Sequence, residues 1–585
     1  MFGPFKSEVS FFSPFLNEMR KYRIGSLKED LIAAVSVALL AVPQCIAYAL
    51  LAGLPPSAGF FAAIFGAIFA SAFGSSRHMV VGPTTAVAIL IQTSIADILF
   101  SYYPEIPPEQ KAALTLQILG HIVLVMGLLQ IAFGFFNMGK LLQFVSRSVI
   151  LGYFVGVVIA IIVNQLYPFL GIAAIEESQP IIFRLFHLIT RLFEVQLPTL
   201  ALGGVSLLIL FGMRRFLPRI PDAIVMIVAV SFLAFFMNQQ VNFNWHVESL
   251  KDLGADAFPK LNWYLPKINL RLLNRVMPAA LAITSLGILE VFSVFRTVAA
   301  KSGQEVNANQ QVFAVGVSNA FLAFLMGAMP ASGSISRSLL NFRNHAKSRL
   351  AAIFSGFFVW LLLYLGWDLV GHIPLAALAA ILLFVVPSMV DFKQIKFCFA
   401  ATKADAFVFL LTVSSCLIFS LDVAFFLGIV ISIALYLKRA AVPHVVEYAF
   451  NSAGRLVVVS KKHYVHRKVR IVGVAGELFF ASVDLFQSTF KEVAEDPFVE
   501  IIILRLNNVY YMDASMCYAL LNLKKRLEKT SRYLLISGIT PEVFKVFNKV
   551  GLVEDLDRDN LFLTDESSPQ FSTWQAYQRA EDLLG

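Results

Sequence analysis

From Asp30 to Arg439 the chain is a succession of apolar stretches close to the length that crosses a lipid bilayer as a helix, about 20 residues. They lie near 31–50, 57–74, 83–100, 112–136, 145–168, 197–216, 221–237, 276–298, 310–328, 332–343, 349–370, 374–391, 404–420 and 422–438. Hydrocarbon offers no water to bond an exposed amide, so each span must satisfy its own backbone, and an all-α polytopic membrane domain is what this pattern dictates. Two stretches, 83–100 and 332–343, are full crossings only if an extended arm precedes a short helix.

Those two stretches carry the breakers. Ala328–Asn341 reads AMPASGSISRSLLN: Pro330 can end an extended arm, Ser332 to Ser334 can cap a short helix, and Arg337 falls in its first turn. Met79–Ala86 reads MVVGPTTA, where Pro83 suits the first helical position and Thr84 and Thr85 offer hydroxyls. The alternative for each run alone is a re-entrant turn or a packed kink. Broken segments at matching places in two halves of a chain point instead to a binding site at the membrane midplane, where bare helix N-termini attract an anion.

Few other polar groups sit deep in the spans. Glu290 interrupts 276–298 and shares a helix face with Gly287, Ser293 and Thr297; it reads as a proton-taking or selectivity-setting group, or as one partner of a structural pair. Gln44 and Tyr48, four residues apart after Pro43, also share a face and either donate to an anion's oxygens or satisfy each other. The net charge of +9 would suit nucleic acid, but the basic residues sit beside the spans and set orientation instead. With an inside N-terminus, each expected cytoplasmic loop is basic: Arg77; Lys140 and Arg147; Arg214, Arg215 and Arg219; Arg296 and Lys301; Arg343, Lys347 and Arg349; Lys393, Lys396 and Lys403; Lys438 and Arg439. The opposite loops hold Glu105, Glu109, Glu176, Glu177, Asp368 and Asp422, and Arg184, Arg191 and Lys260 fall in long loops that count little. An even number of crossings, about fourteen, leaves both ends inside. Residues 1–29, with Phe11, Phe12, Phe15 and Met19 followed by Arg20, Lys21, Arg23 and Lys28, read as an amphipathic segment on the inner surface, with no signal peptide. Cys45, Cys398, Cys416 and Cys517 are too scattered for a metal site or a disulfide framework.

Asp30–Gly59, DLIAAVSVALLAVPQCIAYALLAGLPPSAG, resembles the opening signature of the SulP sulfate permease family, bacterial relatives of prestin and the animal anion exchangers. Val81–Thr84 is similar to that family's third span, Glu290 to its eighth, and SGSISRS at Ser332–Ser338 with Asn341 to its tenth. The resemblance implies fourteen spans in two inverted repeats of seven: a core domain of spans 1–4 and 8–11, and a gate domain of spans 5–7 and 12–14. It implies an elevator-like homodimer with a transport domain at 30–440. In the family the positions held here by Gln44, Tyr48, Thr84, Ser336 and Arg337 line the anion site; Thr85 and Ser334 complete the substrate-binding candidates, and Glu290 is the coupling candidate.

After Lys438 and Arg439 the composition turns soluble. Strand-like 469–474 and 499–506 alternate with helical 514–530 and 541–550, the latter closed by Gly551, an α/β pattern. GELFFA at Gly476–Ala481 and YMDASM at Tyr511–Met516 resemble the cytoplasmic STAS domain that follows SulP permeases, here 441–585. Related anti-sigma-factor antagonists carry a phosphorylated serine in the second loop; Ser515 is present, but Met516 stands where glycine is usual, which argues against a phosphoswitch, and Asp513 or Ser515 suits a helix N-cap. His463-x-x-His466 has no further ligand nearby and reads as solvated surface.

The expectation is a non-enzymatic secondary active transporter of small oxyanions in the inner (plasma) membrane, without metal, cofactor or nucleic-acid partner. Sulfate comes first, with bicarbonate or a dicarboxylate as alternatives. The serine–arginine run and Glu290 favour proton symport or anion exchange over sodium coupling, since the family's sodium-coupled bicarbonate branch tends to lack this arginine and to carry aspartate at the glutamate's place. No Gly-x-x-x-x-Gly-Lys loop suggests ATP drive. An anion channel or a non-transporting sensor is the other reading; a nucleobase permease is disfavoured by the C-terminal domain.

Overall fold

In a computed structural model the residues described are all but 1–12, 21, 139–144, 176–178, 218–220, 240–246, 254–262, 264–268, 326, 452–453, 460–467, 566–567, 569 and 585. Phe11, Phe12, Lys21, Lys140, Glu176, Glu177, Arg219, Lys260, His463 and His466 therefore lie outside the described residues. The chain divides into two units, Met1–Ser432 and Ile433–Gly585.

The first unit runs α1 (Ser13–Met19), α2 (Leu27–Leu51), α3 (Pro56–Phe73), β1 (Val80–Gly82), α4 (Thr85–Tyr102), α5 (Pro108–Phe135), α6 (Arg147–Leu170), α7 (Ile181–Thr190), α8 (Leu197–Phe216) and α9 (Asp222–Gln239). It continues with α10 (Leu270–Ser302), α11 (Ala308–Leu322), β2 (Ser332–Ser334), α12 (Ile335–Arg343), α13 (Leu350–Gly371), α14 (Leu375–Val385), α15 (Phe392–Ala401), α16 (Lys403–Ile418) and α17 (Leu421–Ala440). Among the described residues nine helices are long and apolar enough to cross a membrane.

The helices sort into two packed groups. In one, α13 lies on α2 and α3, while α11 and α10 lie on α5; in the other, α14 and α16 pack on α6, and α8 on α14 and α9. Without a hydrophobic drive between helices in lipid, close approach depends on small residues. At the α5–α11 crossing a Cβ on Gly127 would stand 2.4 Å from the amide nitrogen of Ala320, and one on Gly316 2.5 Å from that of Ile131.

The extended arms expected before the two short helices are strands, and they bond to each other: β1 and β2 pair antiparallel, Val80 opposite Ser334 and Gly82 opposite Ser332. Three expectations change. Pro83 is not the first helical residue, because the extended backbone of β1 continues through Thr84 and α4 begins at Thr85. Ser332 to Ser334 form the second strand rather than a run of caps, leaving Ser334 alone at the N-cap position. Two helices, α7 and α15, were not foreseen; Arg184 and His187 interrupt the hydropathy of α7, whose Ile182, Phe183, Phe186 and Ile189 are exposed. The N-terminal segment is held by a carboxylate: Glu18 pairs with the buried Arg349.

The second unit is a six-stranded sheet of β3 (His444–Phe450), β4 (Leu456–Val458), β5 (Val469–Ala475), β6 (Ile501–Asn508), β7 (Tyr533–Ile539) and β8 (Leu561–Leu563), in the order β4-β3-β5-β6-β7-β8. From β5 to β8 the strands are parallel, which needs both faces covered. Period two delivers this: Ile502 and Leu504 face Phe486 and Phe490 of α18 (Val483–Glu495), while Ile501 and Ile503 face Ala576 and Ala580 of the last helix (Phe571–Leu584). Asp513, one of the two expected caps, accepts from the N–H of Met516 at 3.0 Å to open α19 (Ala514–Glu528). Met516 is fully buried in the core beneath that helix.

Candidate functional site

The strand pair brings two helix starts together. Because β1 runs into α4 and β2 into α12, pairing Val81 with Gly333 sets the N-termini of both helices beside one another. The register is fixed from several sides. The Ser338 hydroxyl accepts from the N–H of Val80 at 2.9 Å and donates to the carbonyl of Ser334 at 2.5 Å. The Asn319 amide accepts from the N–H of Ala331 at 2.7 Å and donates to its carbonyl at 2.9 Å, just before β2. The Asn341 amide donates to the carbonyl of His78, just before β1, at 3.1 Å.

Neither helix start is capped by its own side chain. Thr84 and Ser334 hold the N-cap positions in extended conformations with no side-chain cap hydrogen bond. The Thr84 hydroxyl instead donates to Oε2 of Glu290 at 2.9 Å, and the Ser334 hydroxyl lies 3.4 Å from that of Ser336. The first N–H groups of a helix have no partner inside it and carry the positive end of its dipole. Two such ends open on one cavity of about 430 Å³, whose wall includes Tyr48, Thr84, Thr85, Glu290, Ser334 and Ser336. The Tyr48 phenol is in hydrogen-bonding reach of the Thr85 hydroxyl.

The remaining candidates stand elsewhere. Arg337 is 1% exposed and set back from the cavity wall: its Nη2 donates to the carbonyl of Pro83 at 2.6 Å, and a Cβ on Gly82 would lie 2.5 Å from Nη1. Among the described residues it makes no salt bridge, so its charge is uncompensated beneath the strand pair. Gln44 lines a neighbouring cavity of about 350 Å³ that shares Ser336 and Val385 with the first.

Two contributors, Asp391 and Gln394, escaped the sequence reading; with Ser293 they line the larger cavity. Ser293 lies on the expected face of Glu290. Asp391 and Gln394 sit at the start of the unforeseen α15, where no apolar periodicity marked them. The register-fixing Asn319 was detectable in principle, as an amide deep within 310–328.

A family model described as the sulfate permease family matches residues 27–412, and one for the STAS domain matches residues 460–567. Sulfate transporter 4.1, chloroplastic, of Arabidopsis thaliana is 26% identical over 94% of this chain and 81% of its own length. The murine Solute Carrier 26 family member A9 anion transporter, solved in the inward-facing state, superposes with a TM-score of 0.83 at 20% identity, covering 97% of this chain and 94% of that one. The transmembrane domain of the cyanobacterium bicarbonate transporter BicA gives 0.57 at 20% identity, covering 70% and 98%.

Proposed function

Because this chain belongs to the sulfate permease family and ends in a STAS domain, we propose that it is a secondary active transporter of small oxyanions, sulfate first among them. The observation that carries the reading is the pair of side-chain-uncapped helix starts, on α4 and α12, at one cavity. Their amides and the buried charge of Arg337 favour a negative solute, while the hydroxyls of Thr84, Thr85, Ser334 and Ser336 suit its oxygens. Glu290, bonded to Thr84 within the same wall, is the group through which a proton would be coupled; anion exchange is the other mode.

The two packed groups support an elevator-type movement. Within a transport domain at 30–440, α2–α5 and α10–α13 would form the moving core, and α6, α8, α9, α14, α16 and α17 the gate. The cavity lies between them, with Ile150 and Phe154 of α6 facing the helix starts. A membrane protein of this family with both termini cytoplasmic, functioning as a homodimer in the inner (plasma) membrane, completes the proposal.

The test is uptake of radiolabelled sulfate by proteoliposomes across pH and sodium gradients. Uptake that shows counterflow establishes a carrier; conductance without counterflow establishes a channel, and no flux at all leaves the sensor reading.

A further inference from the structure

The two cavities that meet at Ser336 differ in charge. The larger is lined by the carboxylates of Glu290 and Asp391 and, among the described residues, by no cationic side chain. The smaller is lined by the guanidiniums of Arg214 on α8 and Arg343 on α12 against one carboxylate, Asp222, which accepts from the N–H of Ala223. Both arginines are exposed and, among the described residues, neither makes an ion pair; Arg214 stands 5.2 Å over the ring of Phe384. Gln44 lines this second cavity at 5% exposure, and among the described residues its Oε1 has no partner.

Resting on the transport reading above, we propose that substrate and proton reach the site by separate cavities: the anion past Arg214, Arg343 and Gln44 to Ser336, the proton past Asp391 to Glu290. A cleft lined by one sign of charge concentrates the opposite ion, so a dianion bound for the helix starts enters on the arginine side rather than past Asp391. The buried Gln44 amide, whose oxygen and nitrogen exchange places on a half-turn, gives the anion a hydrogen-bonding station between the arginines and the helix starts. Across the other cavity, Asp391 accepts from the N–H groups of Lys393 and Gln394, each at 3.0 Å, and from the Gln394 side-chain amide at 2.8 Å.

The titratable or charged groups around Glu290 are few. Tyr48 on α2 and Tyr153 on α6 lie within its field, and Arg337 is on α12. β2 and α11 carry none, Asp97 lies three turns into α4, and His121 of α5 sits at the N–H of Asn269, the opposite end of α10. Asp391 is therefore the carboxylate that shares the Glu290 cavity.

The experiment measures sulfate KM, Vmax and the pH profile of uptake for full-length protein in proteoliposomes. Arg214→Gln and Arg343→Gln are expected to raise KM on the order of ten-fold together, keep Vmax and the pH profile, and lose their effect at high ionic strength. Lysine at either position restores KM. Asp391→Asn, which still caps α15, is expected to keep KM and shift the pH profile. The separation is overturned if the arginine variants keep the wild-type KM, if they move the pH profile, or if Asp391→Asn leaves that profile in place. Wild-type protein that takes up no sulfate overturns the transport reading itself, a result distinct from all of these.

Discussion

Arg337 donates from Nη2 to the carbonyl of Pro83 at 2.6 Å, so the cation carried by one interrupted helix is held by the backbone leading into the other. Gly82 makes the approach possible, since a Cβ there would stand 2.5 Å from Nη1. Arg337→Ala strands a buried carbonyl, a cost of about 1–3 kcal/mol, and removes the charge behind the helix starts. It should raise sulfate KM steeply. Gly82→Ala should do the same without touching the arginine, and Arg337→Lys should recover the charge but not the fork. Uptake kinetics decide: a Gly82→Ala protein with the wild-type KM would show that the guanidinium's position does not matter.

Glu290 accepts from Thr84 at 2.9 Å, tying coupling candidate to helix start. Glu290→Gln retains an acceptor for that hydroxyl and cannot ionise. The expected variant folds, transports sulfate by exchange, and has lost the pH dependence of net uptake. A pH profile superimposable on the wild type's would place the proton elsewhere.

The sequence made the helices and the paired interruptions legible because lipid leaves so little choice: hydropathy marks spans, and breakers at membrane depth mark a site. It did not show that the interruptions bond to each other. Val80 to Gly82 and Ser332 to Ser334 are too short for a period-two pattern, and their pairing spans some 250 residues of chain. Arg337 was legible as a cation but not as one turned toward Pro83, because burial behind a strand pair is a tertiary fact. Asp391 was invisible for a different reason: α15, with exposed Phe392, Phe397 and Phe399 among its lysines, shows neither a span nor a clean amphipathic stripe. In the C-terminal unit the alternating Ile501–Leu504 announced the sheet, and the two faces it covers follow from that period.

Asp513 serves two donors, the N–H of Met516 at 3.0 Å and that of Phe480 at 2.8 Å, joining the start of α19 to the segment after β5. Burial, with the Asp513 charge second, pushes the neighbouring Cys517 thiol up to about 11. At pH 8 only about one such thiol in a thousand is ionised, and the thiolate is the reactive form. Iodoacetamide should leave Cys517 of the folded protein unmodified while labelling it fully in denaturant, by peptide mass spectrometry. Asp513→Ala frays the helix start, at about 1 kcal/mol for the cap, and should speed both alkylation and hydrogen exchange there. Rapid labelling of the wild type would contradict the packing.

Asp30 is 0% exposed, at the foot of α2, and all its acceptor capacity is used near the loop before α13. Oδ1 accepts from the N–H groups of Lys347 at 2.7 Å and Ser348 at 3.1 Å; Oδ2 accepts from the Ser348 hydroxyl at 2.6 Å and the Tyr22 phenol at 3.1 Å. Asparagine can replace only one of the two oxygens, so Asp30→Asn should lose about 1–3 kcal/mol in thermal unfolding of the purified protein. A second signature follows from Tyr22, whose phenol is pushed up to about 12 by burial first and by the Asp30 charge next. An unfolded tyrosine releases its proton near pH 10 while the folded one still holds it. Stability carried by this bond is thus complete below pH 10 and falls as pH climbs toward 12. In Asp30→Asn the charge is gone, and the decline between those values should flatten. A variant that melts like the wild type, with the same alkaline slope, would mean that water serves the Lys347–Ser348 loop as well as the carboxylate does.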